Sequence, residues 1–201
     1  ARSGTPDWDP GTLIIQPTAR VLIDWIAMIR ANPVPIAIDV ETDGGHIMEA
    51  PLTFIGFSDG ETSVSAQLLK ANRRPFYAVP GEDSAVRDAI RGLLADRAVE
   101  KTGQNFQFDL LVMKRNGLWP VRGFTFDTML AHHTVRCEEP DALEYLASFY
   151  LNCPAWKGLA GEAKGAGFGL GVPDARIALY NCMDACVTAR LRPHLQLELA
   201  A

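Results

Sequence analysis

A chain of 201 residues, 48% of them hydrophobic, can close one sizeable core, and a net charge of −5 argues against a broad basic surface for nucleic acid. No run of eighteen or more apolar residues occurs, and the N-terminal ARSGTPDWDP lacks the basic and apolar regions of a signal peptide, so neither membrane insertion nor export is expected. Cys137, Cys153, Cys182 and Cys186 show no paired CxxC spacing, and a chain with an ample core needs no staples; they read as reduced, buried thiols in the cytoplasm or another reducing compartment.

In chain order, residues 1–11 form an N-terminal extension and 12–201 a single domain. Thr12 to Ile15 reads as a short lead-in strand, and Thr18 caps a helix running to about Arg30 with Val21, Trp25 and Met28 on one face. Asn32-Pro33-Val34-Pro35 ends it. The strand IAIDVETDG (36–44) follows, then a hairpin in PLTFIGFSDGETSVSA turning at Asp59-Gly60, then a third strand at Phe76 to Val79. From Asp83 the period changes, with Val86, Ile90, Leu93 and Leu94 on one helical face. A short strand near Val99 to Lys101 precedes helices over Asn105 to Asn116 with Gly117 as the stop, from Asp127 through His132-His133, and from Asp141 to Tyr150. Residues 158–171 hold six glycines, and Pro173-Asp174 opens a last helix to about Leu197. Strands followed by alternating strand and helix imply one mixed α/β sheet, three antiparallel strands joined by parallel ones, with helices packed on it.

Four carboxylates stand where a core should reject them. Alternation along the strand puts Asp39 and Glu41 on one face with Ala37, opposite Ile36, Ile38 and Val40. Helical spacing places Asp109 on the apolar face of Phe106, Leu110 and Met113, and puts Tyr180 and Asp184 among Ile177, Val187 and Leu191. A lone DxE can be a strand end reaching solvent, and either helical acid alone can be a salt-bridged structural residue. Together they call for hard divalent cations held by oxygen, Mg²⁺ or Mn²⁺. Two such ions about 3.5–4 Å apart suit in-line phosphoryl displacement. Tyr180, with an ordinary pKa of about 10, fits a group that positions a water better than a full general base.

The segments IAIDVETDG with its DxE at 39–41, GQNFQFDLLVMKRNG with N-x3-D at 105–109, and YNCMDACVTARL with Y-x3-D at 180–184 resemble, in order, the three motifs of the tyrosine branch of the DEDD 3′–5′ exonucleases. With FDTMLAHHTV and LEYLASFYL between motifs two and three, residues 12 to 195 are similar to the proofreading domain of family A DNA polymerases. The resemblance implies a ribonuclease H-like fold and hydrolysis of nucleotides from a 3′ end, releasing nucleoside 5′-monophosphates. It implies that Asp39, Glu41 and Asp184 hold the catalytic metal, that Asp39 bridges to a second ion, that Asp109 reaches this ion partly through water, and that Tyr180 orients the nucleophile. Thr42, Gln104 and Asn105 fall at positions that in the family touch the terminal nucleotide or support the site. The histidine branch is excluded, because Leu179 stands where its His would be. Gly44-Gly45-His46 replaces the apolar wedge often found after the first motif, leaving Ile47 or Met48 for that part.

Phe168 in the glycine-rich stretch is a candidate to stack on a nucleotide or a packing residue. That stretch matches neither GxxxxGK[ST] nor GxGxxG and reads as a loop over the site. His132-His133 reads as one core and one surface histidine. Lys70, Arg73, Arg74, Lys157 and Lys164 are either phosphate contacts or solvated charges. Two divalent ions would bring −5 to about −1, so affinity for a single-stranded or frayed DNA 3′ end is expected to come largely from a polymerase domain in cis or in trans. An exoribonuclease of the same branch tends to carry a His-Ala type segment where Gln104-Asn105 stands here. A non-catalytic scaffold typically lacks one or more of the acids, all of which this chain retains.

Overall fold

The structure is a computed structural model that describes residues 8–44, 49–158 and 174–201. A six-stranded sheet organises it. The strands are β1 (Thr12–Ile15), β2 (Ile36–Thr42), β3 (Leu52–Ser58), β4 (Thr62–Gln67), β5 (Lys101–Gly103) and β6 (Phe124–Asp127), in spatial order β1-β4-β3-β2-β5-β6. Pairs β4-β3 and β3-β2 are antiparallel, while β1-β4, β2-β5 and β5-β6 are parallel. This is the mixed sheet expected, with one change of membership. Phe76 to Val79 is not a strand: next to the single bridge of Pro75 with Leu69, the Phe76 N–H reaches the Leu68 carbonyl at 3.0 Å, and residues 77–79 pair with no strand. The third antiparallel strand is β4, the second arm of the hairpin. Strand β6, which no sequence signal marked, lines up along the open edge of β5.

Among the described residues six helices cover the sheet: α1 (Ala19–Ala31), α2 (Glu82–Ala95), α3 (Gln107–Arg115), α4 (Thr128–Val135), α5 (Leu143–Leu151) and α6 (Asp174–Leu199). One core forms where α1 and α2 meet Ile36, Ile38, Val40, Ile55, Phe57 and Val64. In α1 the buried stripe is Leu22, Trp25, Ile26 and Ile29, whereas Val21 and Met28 are exposed. The helix is apolar on more than one side, and the sheet chose a stripe rotated by roughly one residue, about 100°, from the expected one. A second core joins α4, α5 and α6, with Ala131, Leu146, Trp156, Val187 and Leu191 at its centre. Gly117 ends α3 at φ +76°, a conformation that a side chain would strain.

The strand faces beneath α6 differ from those beneath α1. Val64, Ala66 and Leu68 point to the apolar core, while Ser63, Ser65 and Gln67 take the other side, so β4 gives α6 a polar floor, next to Phe54 of β3, which packs on Ile177 and Ala178. Asp39 and Glu41 continue that floor along β2. Helix α6 can therefore lie close to the sheet and bring its own polar residues down onto it. His132 is buried and His133 exposed, as expected; Cys153, Cys182 and Cys186 are buried, but Cys137 is exposed, because it follows the end of α4. Among the described residues no helix is long and apolar enough to cross a membrane.

Candidate active site

Asp39 and Glu41 reach from β2 and Asp184 from the middle of α6, and one carboxylate oxygen from each lies within 4.8 Å of the others. Asp39 is partly buried; Glu41 and Asp184 are 8% and 5% exposed. Three shielded anions at this distance repel one another. Burial, and then the charge of Asp184, push the Asp39 carboxyl up to about 8; burial and both neighbours hold Glu41 well above the usual range. Burial also raises Asp184, against the pull of Lys157. A divalent cation among these oxygens would cancel the repulsion and restore the charged forms, so the donor set fits a hard, oxygen-liganded ion.

Asp109 stands outside that trio. It comes from the first turn of α3 and accepts a hydrogen bond from the Val40 N–H at 3.0 Å, tying α3 to the strand between the two β2 acids. Burial and the negative charge of Asp39 raise its pKa well above the ordinary value. Tyr180 lies one turn before Asp184 on α6 and is buried to 6% exposure; burial, then Asp184, Glu41 and Asp39, raise its phenol further. At neutral pH it is a neutral hydroxyl, suited to orienting a water rather than removing its proton.

Several supporting residues were not legible as such in the sequence. Asn181 donates its amide N–H to Asp39 Oδ2 at 2.7 Å and to the Asp39 carbonyl at 3.1 Å, while its own oxygen accepts from Ser65 Oγ at 2.6 Å. It fixes the Asp39 rotamer. Trp156 Nε1 donates to Asp184 Oδ1 at 2.5 Å, and Lys157 Nζ donates to Asp184 Oδ2 at 2.5 Å and to Tyr180 Oη at 2.8 Å. Lys157, one of five candidate phosphate contacts, thus sits on the acid cluster itself. Asp127 caps α4 through the Met129 and Leu130 N–H groups and also accepts from the Asn105 and Phe106 N–H groups, at 3.1 and 2.8 Å. The signal for Asn181 was its place three residues before Asp184 on an inward face; for Asp127 it was a cap position before an apolar run.

The remaining expected contacts divide. Thr42 is half-buried at the end of β2, where the register with β3 shifts. Asn105 is exposed at φ +54° on the turn before α3. Gln104 donates to the Asp141 carbonyl at 2.8 Å and accepts from the Thr128 hydroxyl, so both ends of its amide are engaged in holding that turn. Lys70, Arg73 and Arg74 are exposed, and Arg73 pairs with Asp43 at 2.8 Å. Phe168, Lys164, Ile47 and Met48 lie outside the described residues. A cavity of about 710 Å³ around the second half of α6, lined by Tyr150, Arg190, Pro193 and His194 among others, includes none of Asp39, Glu41, Asp109 and Asp184.

The acids thus converge on one polar floor beneath α6, and comparison with known proteins places the chain in a family. Residues 15–200 match the family model described as 3′–5′ exonuclease, in its DNA polymerase A form. The chain belongs to the 3′–5′ exonuclease family and is a nuclease domain. It is similar to DNA polymerase I of Rhizobium leguminosarum, with 31% identity over 199 residues, covering 88% of this chain and 19% of the polymerase. The chain therefore spans about a fifth of the length of that relative. Among solved structures, Brucella melitensis NrnC with bound Mg²⁺ shares the fold at TM-score 0.64 and 18% identity, over 94% of this chain and 82% of that one. Escherichia coli RNase D, an exoribonuclease involved in structured RNA processing, does so at TM-score 0.66 and 17% identity, over 94% and 44%.

Proposed function

We propose that this chain removes nucleotides one at a time from the 3′ end of DNA, releasing nucleoside 5′-monophosphates, as a proofreading nuclease. The observation that carries the reading is the trio of Asp39, Glu41 and Asp184 within 4.8 Å, beside Tyr180 one turn away on the same helix. Two divalent ions, Mg²⁺ or Mn²⁺, bound by Asp39, Glu41, Asp109 and Asp184 would supply Lewis-acid chemistry, lowering the pKa of the attacking water and stabilising the leaving oxygen.

The chain's own residues do the rest. Tyr180 Oη holds the attacking water in line with the scissile phosphorus. Asn181 and Trp156 lock the rotamers of Asp39 and Asp184, so that little reorganisation accompanies the reaction. Gln104 and Asp127 hold the turn that presents Asn105 to the terminal nucleotide. Thr42 contributes a further contact there. Similarity to a DNA polymerase and the Gln104-Asn105 pair favour DNA over RNA. A polymerase domain, attached in cis or bound in trans, supplies most of the affinity for the frayed end. Four free thiols support a reducing intracellular compartment as the setting.

The test is incubation with 3′-labelled single-stranded DNA and RNA, with Mg²⁺ or Mn²⁺ and with chelator. Chelator-sensitive release of monophosphates from DNA in preference to RNA is the expected result. Preference for RNA would make the chain an exoribonuclease, and release from neither would leave a scaffold. Asp39→Ala and Asp184→Ala should each lower the rate by about three powers of ten or more, equivalent to several kcal/mol of lost charge stabilisation.

A further inference from the structure

The acid cluster already contains a cation. Lys157 lies on the segment between α5 and α6, its side chain 16% exposed against 7% for its partner Asp184. Its ammonium bonds Asp184 Oδ2 at 2.5 Å and Tyr180 Oη at 2.8 Å, and it stands over the Tyr180 ring at 4.4 Å and the Trp156 ring at 5.2 Å. The neighbouring Trp156 takes the other oxygen of Asp184, so one dipeptide occupies both oxygens of the α6 acid. An ammonium and a divalent ion on the same carboxylate oxygen repel, and the two must alternate there. Trp156 carries no charge and can keep Oδ1 throughout, which stops the carboxylate from rotating away. Lysine suits the alternation: its compact charge has three donors on a flexible stem, so it can release one partner and retain another.

We propose that Lys157 is a counter-cation built into the site. It neutralises Asp184 when no divalent ion is bound, yields Oδ2 when one binds, and stays on Tyr180 Oη, with the freed donor turned to a non-bridging oxygen of the substrate phosphodiester. This rests on the metal-dependent nuclease reading above and adds a residue to it. Charge balance is the driving force, since Lys157 offsets part of a three-carboxylate repulsion that would otherwise act unopposed in the metal-free chain.

The experiment is calorimetric titration of the chain with Mg²⁺ and with Mn²⁺, without substrate, on wild type, Lys157→Met and Lys157→Arg, together with melting in chelator. An entering ion no longer has to break an ammonium–carboxylate bond in Lys157→Met, so this variant should bind about tenfold tighter or more. It should also melt below wild type in chelator, with the gap closing at saturating ion, while Lys157→Arg keeps the wild-type affinity. Equal or weaker ion binding by Lys157→Met overturns the exchange and leaves the nuclease reading standing. Failure of the wild type to bind either ion overturns the metal reading and the exchange with it. If Lys157→Met does not fold in chelator, wild type labelled with ¹⁵N at lysine decides: the Lys157 ammonium signal should shift on adding Mg²⁺, and a signal that stays put overturns the proposal.

Discussion

Gly56→Ala should damage the site from a position that carries no chemistry. Gly56 pairs with Asp39 across β2 and β3, and α6 crosses directly over it. A Cβ at residue 56 would lie 2.7 Å from Asn181 Oδ1, 3.0 Å from its Cγ and 3.0 Å from its backbone oxygen, where ordinary contact begins at 3.4 Å. Asn181 would have to retreat by about 0.7 Å, and it cannot do so freely because Ser65 and Asp39 hold both ends of its amide. Overpacking of this kind costs about 1–3 kcal/mol, and stretching the bond to the Asp39 carboxylate adds a loss of similar size, so about 2–6 kcal/mol in all is expected. For a chain of this length that lowers Tm by about 4–24 °C. Thermal melting, ion titration and hydrolysis of a 3′-labelled oligonucleotide should register the change together. Melting within about 2 °C of wild type, with unchanged ion affinity and rate, would refute the claim that Asn181 is wedged between strand and acid.

Gly92→Ala should have the opposite sign. The added Cβ meets only the Arg30 guanidinium, at 3.0 Å, the far end of a half-exposed side chain whose 3.1 Å pairing with Asp96 is worth little at the surface, so α2 gains up to about 1 kcal/mol of helix propensity, readable as a higher Tm. Tyr180→Phe should slow hydrolysis by about ten- to a hundredfold, less than loss of an acid, with KM little changed; an unaltered kcat would contradict the water-orienting role. The metal-free chain should lose stability as pH rises above about 6, where its surface carboxylates are already ionised. Folding raises Asp39 from 3.8 to about 8, so its contribution is complete below the lower value and is lost through the upper one, with Glu41 and Asp109 moving in the same direction. Melting in chelator across about pH 6–9 should show the decline, and saturating Mg²⁺ should flatten it; a Tm that climbs with pH in chelator would count against the buried cluster.

The sequence by itself determined the elements whose patterns are local. Alternation in residues 36–42 placed Asp39 and Glu41 on one face, and helical spacing turned Asp109, Tyr180 and Asp184 inward, because strand and helix periods depend only on neighbouring residues. Asp127 and Thr18 could be read as caps for the same reason. The tertiary structure decided what depends on partners far along the chain. Asn181 reaches Asp39 across 142 residues, a pairing that neither segment's pattern encodes. Strand β6 exists because β5 offers an open edge, residues 76–79 are no strand because they meet no partner strand past Phe76, and α1 buries the stripe that the sheet selects. Lys157 could be read as a phosphate contact or a solvated charge until the fold set it against Asp184: a charge has no period, and its meaning lies in what packs around it.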